Sequence, residues 1–254
     1  MTLNFDNGKM IALIKNKNKK NNKILMIDES NNKNVKRIHL ADEYKYEPLL
    51  DSDGRSITYI CGASGSGKST FARSLIEKFN ILFPDNSVYL ISRLETDPAF
   101  DDLERKNIII RIPVDEELAN ESIDIIRDIP ENSMVVFDDI DTISDKKLIN
   151  VLNNMKLQIL EIGRHKKIYC IVTSHLINTN DRNSTRTMMN EMSNLVIFPR
   201  GGGSAYQQRY CLKNYLGLSK DEIDNILGTT NSRWVLISKN YPQYILTEKL
   251  CYLI

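Results

Sequence analysis

Apolar positions along this chain follow two rhythms. Short, almost continuous apolar runs occur at Ile57 to Cys61, Val88 to Ile91, Ile108 to Ile112, Met134 to Phe137, Ile168 to Val172 and Leu195 to Phe198. Their length and β-branched content suit strands buried on both faces. Between them the spacing lengthens to that of a helix. Phe71, Leu75 and Phe79 predict a helix from Lys68 to about Phe79, and Leu148, Leu152, Met155, Ile159 and Ile162 keep one face of a longer helix apolar. Ser144 or Asp145 can cap that longer helix, and Gly163 can end it. Further helices are expected over 116–127 and 205–215, and another opens at the capping box Ser219-x-x-Glu222 and closes at Gly228. Residues 178–190 are polar and read as a loop. Strands alternating with helices predict an α/β fold with a mainly parallel sheet covered on both faces. Trp234 to Ser238 and Tyr244 to Thr247 read as a C-terminal hairpin turning at Tyr241-Pro242.

The N-terminal part has a different pattern. Met10 to Ile14, Ile24 to Ile27 and Val35 to Leu40 are short strand-like runs between Asn/Lys turns, and Asp51-Ser-Asp-Gly54 is a turn signal. The expected organisation is a small β-rich appendage over 1–56 and one larger domain over 57–254.

Composition adds limits more than content. With 254 residues, 41% hydrophobic and 26% charged, the chain suits one globular α/β domain with additions. No apolar run approaches the roughly 20 residues of a membrane span, and Met1 to Met10 shows no secretory leader pattern. Cys61, Cys170, Cys211 and Cys251 are widely spaced without a C-x-x-C pair. That argues against a zinc site or disulfide framework and for a reducing, cytosolic setting. The net charge of +1 gives no global attraction to nucleic acid. Lys9 to Lys23 nevertheless carries six lysines and no acid, either a solvated hairpin or a phosphate-contact patch.

The most specific chemistry lies after the first core strand. Gly62-Ala63-Ser64-Gly65-Ser66-Gly67-Lys68-Ser69, followed by Thr70, is a P-loop between a strand and a helix. Backbone N–H groups must wrap a polyphosphate there, and Gly62, Gly65 and Gly67 leave room for it. Lys68 is placed for the β- and γ-phosphates and Ser69 for Mg²⁺, so the chain is expected to bind ATP with Mg²⁺. Asp138, at the carboxyl end of an apolar strand, is the Walker B candidate for the metal, and Asp139 the candidate base for the attacking water. An acid directly after the Walker B aspartate marks the additional-strand (RecA/FtsK–HerA-like) class of P-loop ATPases, which usually carries Glu there. Thr173-Ser174-His175 ends the strand expected beside Walker B. A polar group there can sense the γ-phosphate, and Thr173 or Ser174 is better placed than His175. Arg164 lies in a turn at the other end of the sheet. It either serves a neighbour's nucleotide in a ring or is a solvated turn residue. Arg93 and Arg200 are alternative arginines.

These motifs in this order resemble the genome-packaging ATPases of poxviruses and giant viruses, within the FtsK–HerA superfamily. The resemblance runs over roughly residues 50–247. It rests on the P-loop, Val135-Val-Phe-Asp-Asp139, Gly163-Arg-His165, the strand ending Thr173-Ser-His175, Phe198-Pro-Arg-Gly201 and Ser232-Arg-Trp-Val235. The chain departs from the family in carrying Thr-Ser-His where a glutamine is frequent, and Asp139 where Glu is usual. The resemblance implies a ring of identical subunits that hydrolyses ATP and translocates double-stranded viral DNA into a preformed capsid. Capsid or portal proteins would be partners, and the host cytoplasm (a viral factory) or the virion the location.

Two other classes stay open on sequence. One is a P-loop kinase, with 180–186 as a lid bringing Arg182 and Arg186 onto phosphates. The other is a non-catalytic nucleotide-binding assembly factor. The signature loop of ABC ATPases and the Asn-Lys-x-Asp motif of GTPases are both absent.

Overall fold

The computed structural model describes residues 1–16, 22–30, 34–51, 54–120, 124–178, 182–201 and 203–254. The described chain forms two compact units, Met1–Asp51 with Ser193–Ile254, and Ser52–Met192.

The first segment supplies β1 (Thr2–Asn4), β2 (Lys9–Asn16), β3 (Lys23–Asp28), β4 (Arg37–His39) and β5 (Tyr44–Pro48). Strands β1-β3-β2-β5 make an antiparallel sheet in that order. In β2 both Ile11 and Ala12 are buried, which strict alternation forbids; a register shift between Met10 and Ala12 accommodates them. The middle of the lysine run and part of the 51–54 turn lie outside the described residues.

The Ser52–Met192 unit contains β6 (Ile57–Cys61), α1 (Lys68–Leu82), β7 (Val88–Ser92), α2 (Asp101–Arg105), β8 (Ile109–Pro113), α3 (Glu116–Asn120), α4 (Ile125–Asp128), β9 (Met134–Asp138), α5 (Lys146–Glu161), β10 (Tyr169–Ser174) and α6 (Arg182–Glu191). Its strands run in the order β6-β10-β9-β7-β8, all parallel. Every residue of β6, β9 and β10 is buried, as their continuous apolar sequences require. The additional strand β10 therefore separates the P-loop strand from the Walker B strand. Ser174 pairs with Cys61, and Val172 with Phe137, so three carboxyl ends lie side by side.

The chain ends with β11 (Asn194–Ile197), α7 (Ala205–Asn214), α8 (Lys220–Leu227), β12 (Val235–Ser238), β13 (Tyr244–Thr247) and β14 (Leu250–Leu253). Strands β4-β14-β13-β12-β11 form an antiparallel run. The expected hairpin is β12–β13, and the Ser219–Glu222 capping box is formed in both directions.

Several expectations change. The division at 56/57 differs from the observed grouping, because β4 hydrogen-bonds to β14 (Ile38 opposite Cys251) and residues from Ser193 onward cluster with the N-terminal strands. The single helix expected over 116–127 is two short helices, with 121–123 outside the described residues. The loop expected over 178–190 contains α6. Its composition is polar, yet Thr185, Met188, Met189 and Met192 share one buried face, and the helix packs on α5. Asp145, rather than Ser144, caps α5, accepting from the N–H groups of Lys147 and Leu148 at 2.9 Å each. At the other end of α5 Gly163 opens a 3-10 turn (Gly163–Lys166), and the left-handed residue there is Lys167. The Arg55 guanidinium donates to Leu160 O at 3.0 Å, Ile168 O at 2.8 Å and Ile159 O, capping the helix from outside.

Candidate active site

The loop after β6 begins as an extension of the sheet, with Gly62 N donating to Ser174 O at 3.0 Å. It then turns, with Ser66 N donating to Ala63 O at 3.1 Å. Gly65 and Gly67 take positive φ, 75° and 109°, and no atom lies within 4 Å of a Cβ built on Gly65. Gly67 caps α1 without a side chain, and the first turn of that helix carries no acid. Its leading N–H groups thus have no carboxylate of their own helix to satisfy them, the arrangement that suits a bound anion. Ser66 Oγ is buried without a hydrogen-bond partner among the described residues. Lys68 is 5% exposed, Ala63 and Ser69 are half-buried, and Ser64 and Thr70 are exposed. The loop fits a polyphosphate.

The acids converge on Thr173. Successive side chains of an extended strand point to opposite faces, which would separate Asp138 from Asp139. Asp139 instead adopts a left-handed backbone, φ 47° and ψ 36°, and its carboxylate turns back beside that of Asp138. The fully buried Thr173 Oγ1 lies 2.9 Å from Asp138 Oδ1 and 3.0 Å from Asp139 Oδ1, and accepts the Asp139 N–H at 2.9 Å. One hydroxyl proton is therefore shared by two carboxylates. Lys68 Nζ stands 3.4 Å from Asp139 Oδ1, and Ser92 Oγ donates to Asp138 Oδ2 at 3.4 Å. Burial, and next the charge of Asp139, push the Asp138 carboxyl up to about 6. Asp138 and Ser69 offer hard oxygen donors, which fit Mg²⁺ completed by phosphate oxygens and water.

Two further side chains join the cluster. His175 Nε2 lies 3.5 Å from Asp139 Oδ2 and its Nδ1 3.4 Å from Asp141 Oδ1. Asp141 Oδ2 accepts from His175 N and Ser174 Oγ, each at 2.8 Å.

Arg164 is not part of this constellation. It is exposed in the 3-10 turn that precedes β10, whereas Thr173 is near that strand's far end. Arg93 and Arg200 are exposed as well. Of the possible lid over 180–186, residues 180 and 181 lie outside the described residues, and Ser184 and Thr185 are buried on α6.

No family model matches the chain. A curated protein does: over 209 residues the chain is 46% identical to "Uncharacterized protein V3" of Sputnik virophage, covering 82% of this chain and 81% of that protein. The chain belongs to the V3 family. Among solved structures, it resembles the genome packaging NTPase B204 of Sulfolobus turreted icosahedral virus 2 in complex with ATP-γS. That match has a TM-score of 0.51 and 13% identity, covering 78% of this chain and 98% of B204. The cytoplasmic domain of the Thermomonospora curvata type VII secretion ATPase EccC matches with a TM-score of 0.52 and 16% identity, over 84% of this chain and 28% of that one. At such identities the likeness is one of fold, and the fold is that of FtsK–HerA-like P-loop ATPases.

For this V3-family chain, sequence motifs locate the glycine loop, Lys68, Asp138, Asp139 and Thr173, and the structure brings them to one sheet edge. They do not reveal Asp141 and His175 as a linked pair. Its one sequence signal is a third acid, Asp141, two residues after the Asp138-Asp139 pair.

Proposed function

We propose that this protein is an ATP-hydrolysing motor that translocates double-stranded DNA into viral capsids. The observation that carries the ATPase part is the meeting of the anion-accepting loop, Lys68 and two carboxylates around the Thr173 hydroxyl. The membership in a virophage family and the fold shared with a genome packaging NTPase support the DNA part.

The roles follow from position. Backbone N–H groups from Gly62 to Gly67 and the N-terminus of α1, including Ser69 and Thr70, cradle the phosphates, with Ala63, Ser64 and Ser66 forming the loop. Lys68 neutralises the β- and γ-phosphates, and bound phosphate competes with Asp139 for its ammonium. Ser69 and Asp138 would hold Mg²⁺, which offsets charge on the β- and γ-oxygens when bound. Asp139 orients and polarises the attacking water. Thr173, bonded to both acids, reports the state of the site to β10. Arg164, at the opposite edge of its own sheet, acts on a neighbouring subunit's nucleotide in a homo-oligomeric ring. Duplex DNA, further copies of the chain and capsid or portal proteins are the partners, in the host cytoplasm or the virion.

The test is ATP turnover with and without long duplex DNA. Turnover should rise with DNA and disappear in Lys68→Ala. A DNA-insensitive ATPase would remove the motor assignment, and unchanged turnover in Lys68→Ala would remove the site itself.

A further inference from the structure

We infer that His175 is a positioning residue for Asp139, with Asp141 fixing its ring. This deepens the proposed ATPase reading and rests on it.

Asp139 has little to hold it locally. Its left-handed backbone turns the carboxylate toward the site. Among the described residues three side chains contact the carboxylate, and two of them are shared. Lys68, 3.4 Å from Oδ1, is also the phosphate ligand, so nucleotide draws it away. Thr173 has one proton for Asp138 and Asp139 together. His175, 3.5 Å from Oδ2, reaches the carboxylate from the side of Asp141. When Lys68 turns to phosphate, His175 is the group that keeps the Asp139 carboxylate in place.

The ring is itself held from behind. Asp141 faces Nδ1 at 3.4 Å and accepts the His175 N–H at 2.8 Å. Tyr59 Oη donates to Leu176 O at 3.0 Å, pinning the backbone one residue further on. Both ring nitrogens thus face a carboxylate, but different ones. The imidazole stands between Asp139 and Asp141 with one ring nitrogen toward each, and an Nε2–H aimed at Asp139 Oδ2 is the contact that holds that carboxylate. With 28% and 29% of their side chains exposed, His175 and Asp139 can be reached by a small solute.

The experiment compares kcat and the KM for ATP in the full-length protein across wild type, Asp139→Asn, His175→Ala, His175→Gln, His175→Asn and Asp141→Asn. A misdirected base lowers kcat while ground-state binding survives. His175→Ala should lose about tenfold or more in kcat, with the KM for ATP held within about twofold. His175→Gln, whose amide nitrogen falls near Nε2, should retain more activity than His175→Asn, whose amide nitrogen falls near Nδ1. Asp141→Asn should lower kcat in wild type and add little to His175→Ala. Added imidazole should restore several-fold turnover to His175→Ala and none to Asp139→Asn.

Wild-type kcat in His175→Ala, beside a disabled Asp139→Asn, would overturn the inference and leave the ATPase reading intact. Equal activity of the Gln and Asn variants would also overturn it, because a merely structural tie to Asp141 predicts no preference for Gln. Normal turnover in Asp139→Asn would instead remove the base on which the inference stands. If His175→Ala fails to fold, the Gln/Asn comparison and Asp141→Asn still decide the matter.

Discussion

Asp138 and Asp139 are neighbours whose chemistry is separated by one backbone torsion. Asp138 ends a buried strand, and its carboxyl is pushed up to about 6 by burial and by the adjacent charge. Asp139 turns left-handed to a partly exposed site beside Lys68. A carboxyl whose folded value exceeds its ordinary value of 3.8 favours the protonated form on folding. Asp138 therefore costs nothing below about pH 4, and its cost grows to roughly 2–3 kcal/mol above about pH 6. In metal-free buffer, Asp138→Asn should be more stable than wild type at pH 7.5 by about that amount. The gain should vanish near pH 4. Denaturant titrations at the two pH values measure it, and an equal gain at both would exclude ionisation of Asp138 as the cause. The same substitution should remove magnesium-dependent turnover, since the charge that strains the fold is the one proposed to hold the metal.

At the scale of elements, the legible parts are those whose signal is local. Strands β6, β9 and β10 are continuous apolar runs, and the P-loop and the Asp138-Asp139 pair have fixed spacings on them, so fold class and most of the site follow from sequence. Helix α6 does not, because Asn183, Ser184, Thr185 and Arg186 have loop composition and only Met188, Met189 and Met192 betray a buried face. The β4–β14 pairing joins positions more than 200 residues apart, and the His175–Asp141 link depends on the turn at Asp139; no short pattern encodes either. Arg55 is similar. It sits just before the first core strand and reads as a loop residue, yet it satisfies carbonyls at the end of α5 and the start of β10. Burial lowers its proton affinity without removing its charge. Arg55→Met removes the guanidinium from the Leu160 and Ile168 carbonyls and should cost about 2–3 kcal/mol in chemical denaturation. Nucleotide affinity should stay near wild type, because the P-loop follows the opposite end of β6. A comparable loss of affinity would mean that the α5 end and the loop are mechanically linked.

At the scale of the whole molecule, the parallel order β6-β10-β9 has a directional consequence. Lys68, Asp138, Asp139 and Thr173 lie at the carboxyl edge of the strands, whereas Arg164, in the turn leading into β10, lies at the amino edge. A cationic contribution from Arg164 to phosphoryl transfer is therefore possible only between subunits. Arg164→Ala subunits keep an intact loop and lack the arginine, while Lys68→Ala subunits keep the arginine and lack the loop. Each should be nearly inactive alone. Mixed in equal amounts, they should give turnover well above the sum of the separate rates, since a loop of the first kind then meets an arginine of the second. Adding a Lys68→Ala, Arg164→Ala double variant in place of the Lys68→Ala subunits should abolish the gain. Rescue by the double variant would trace the effect to assembly alone, and absence of rescue in the first mixture would return Arg164 to an exposed turn.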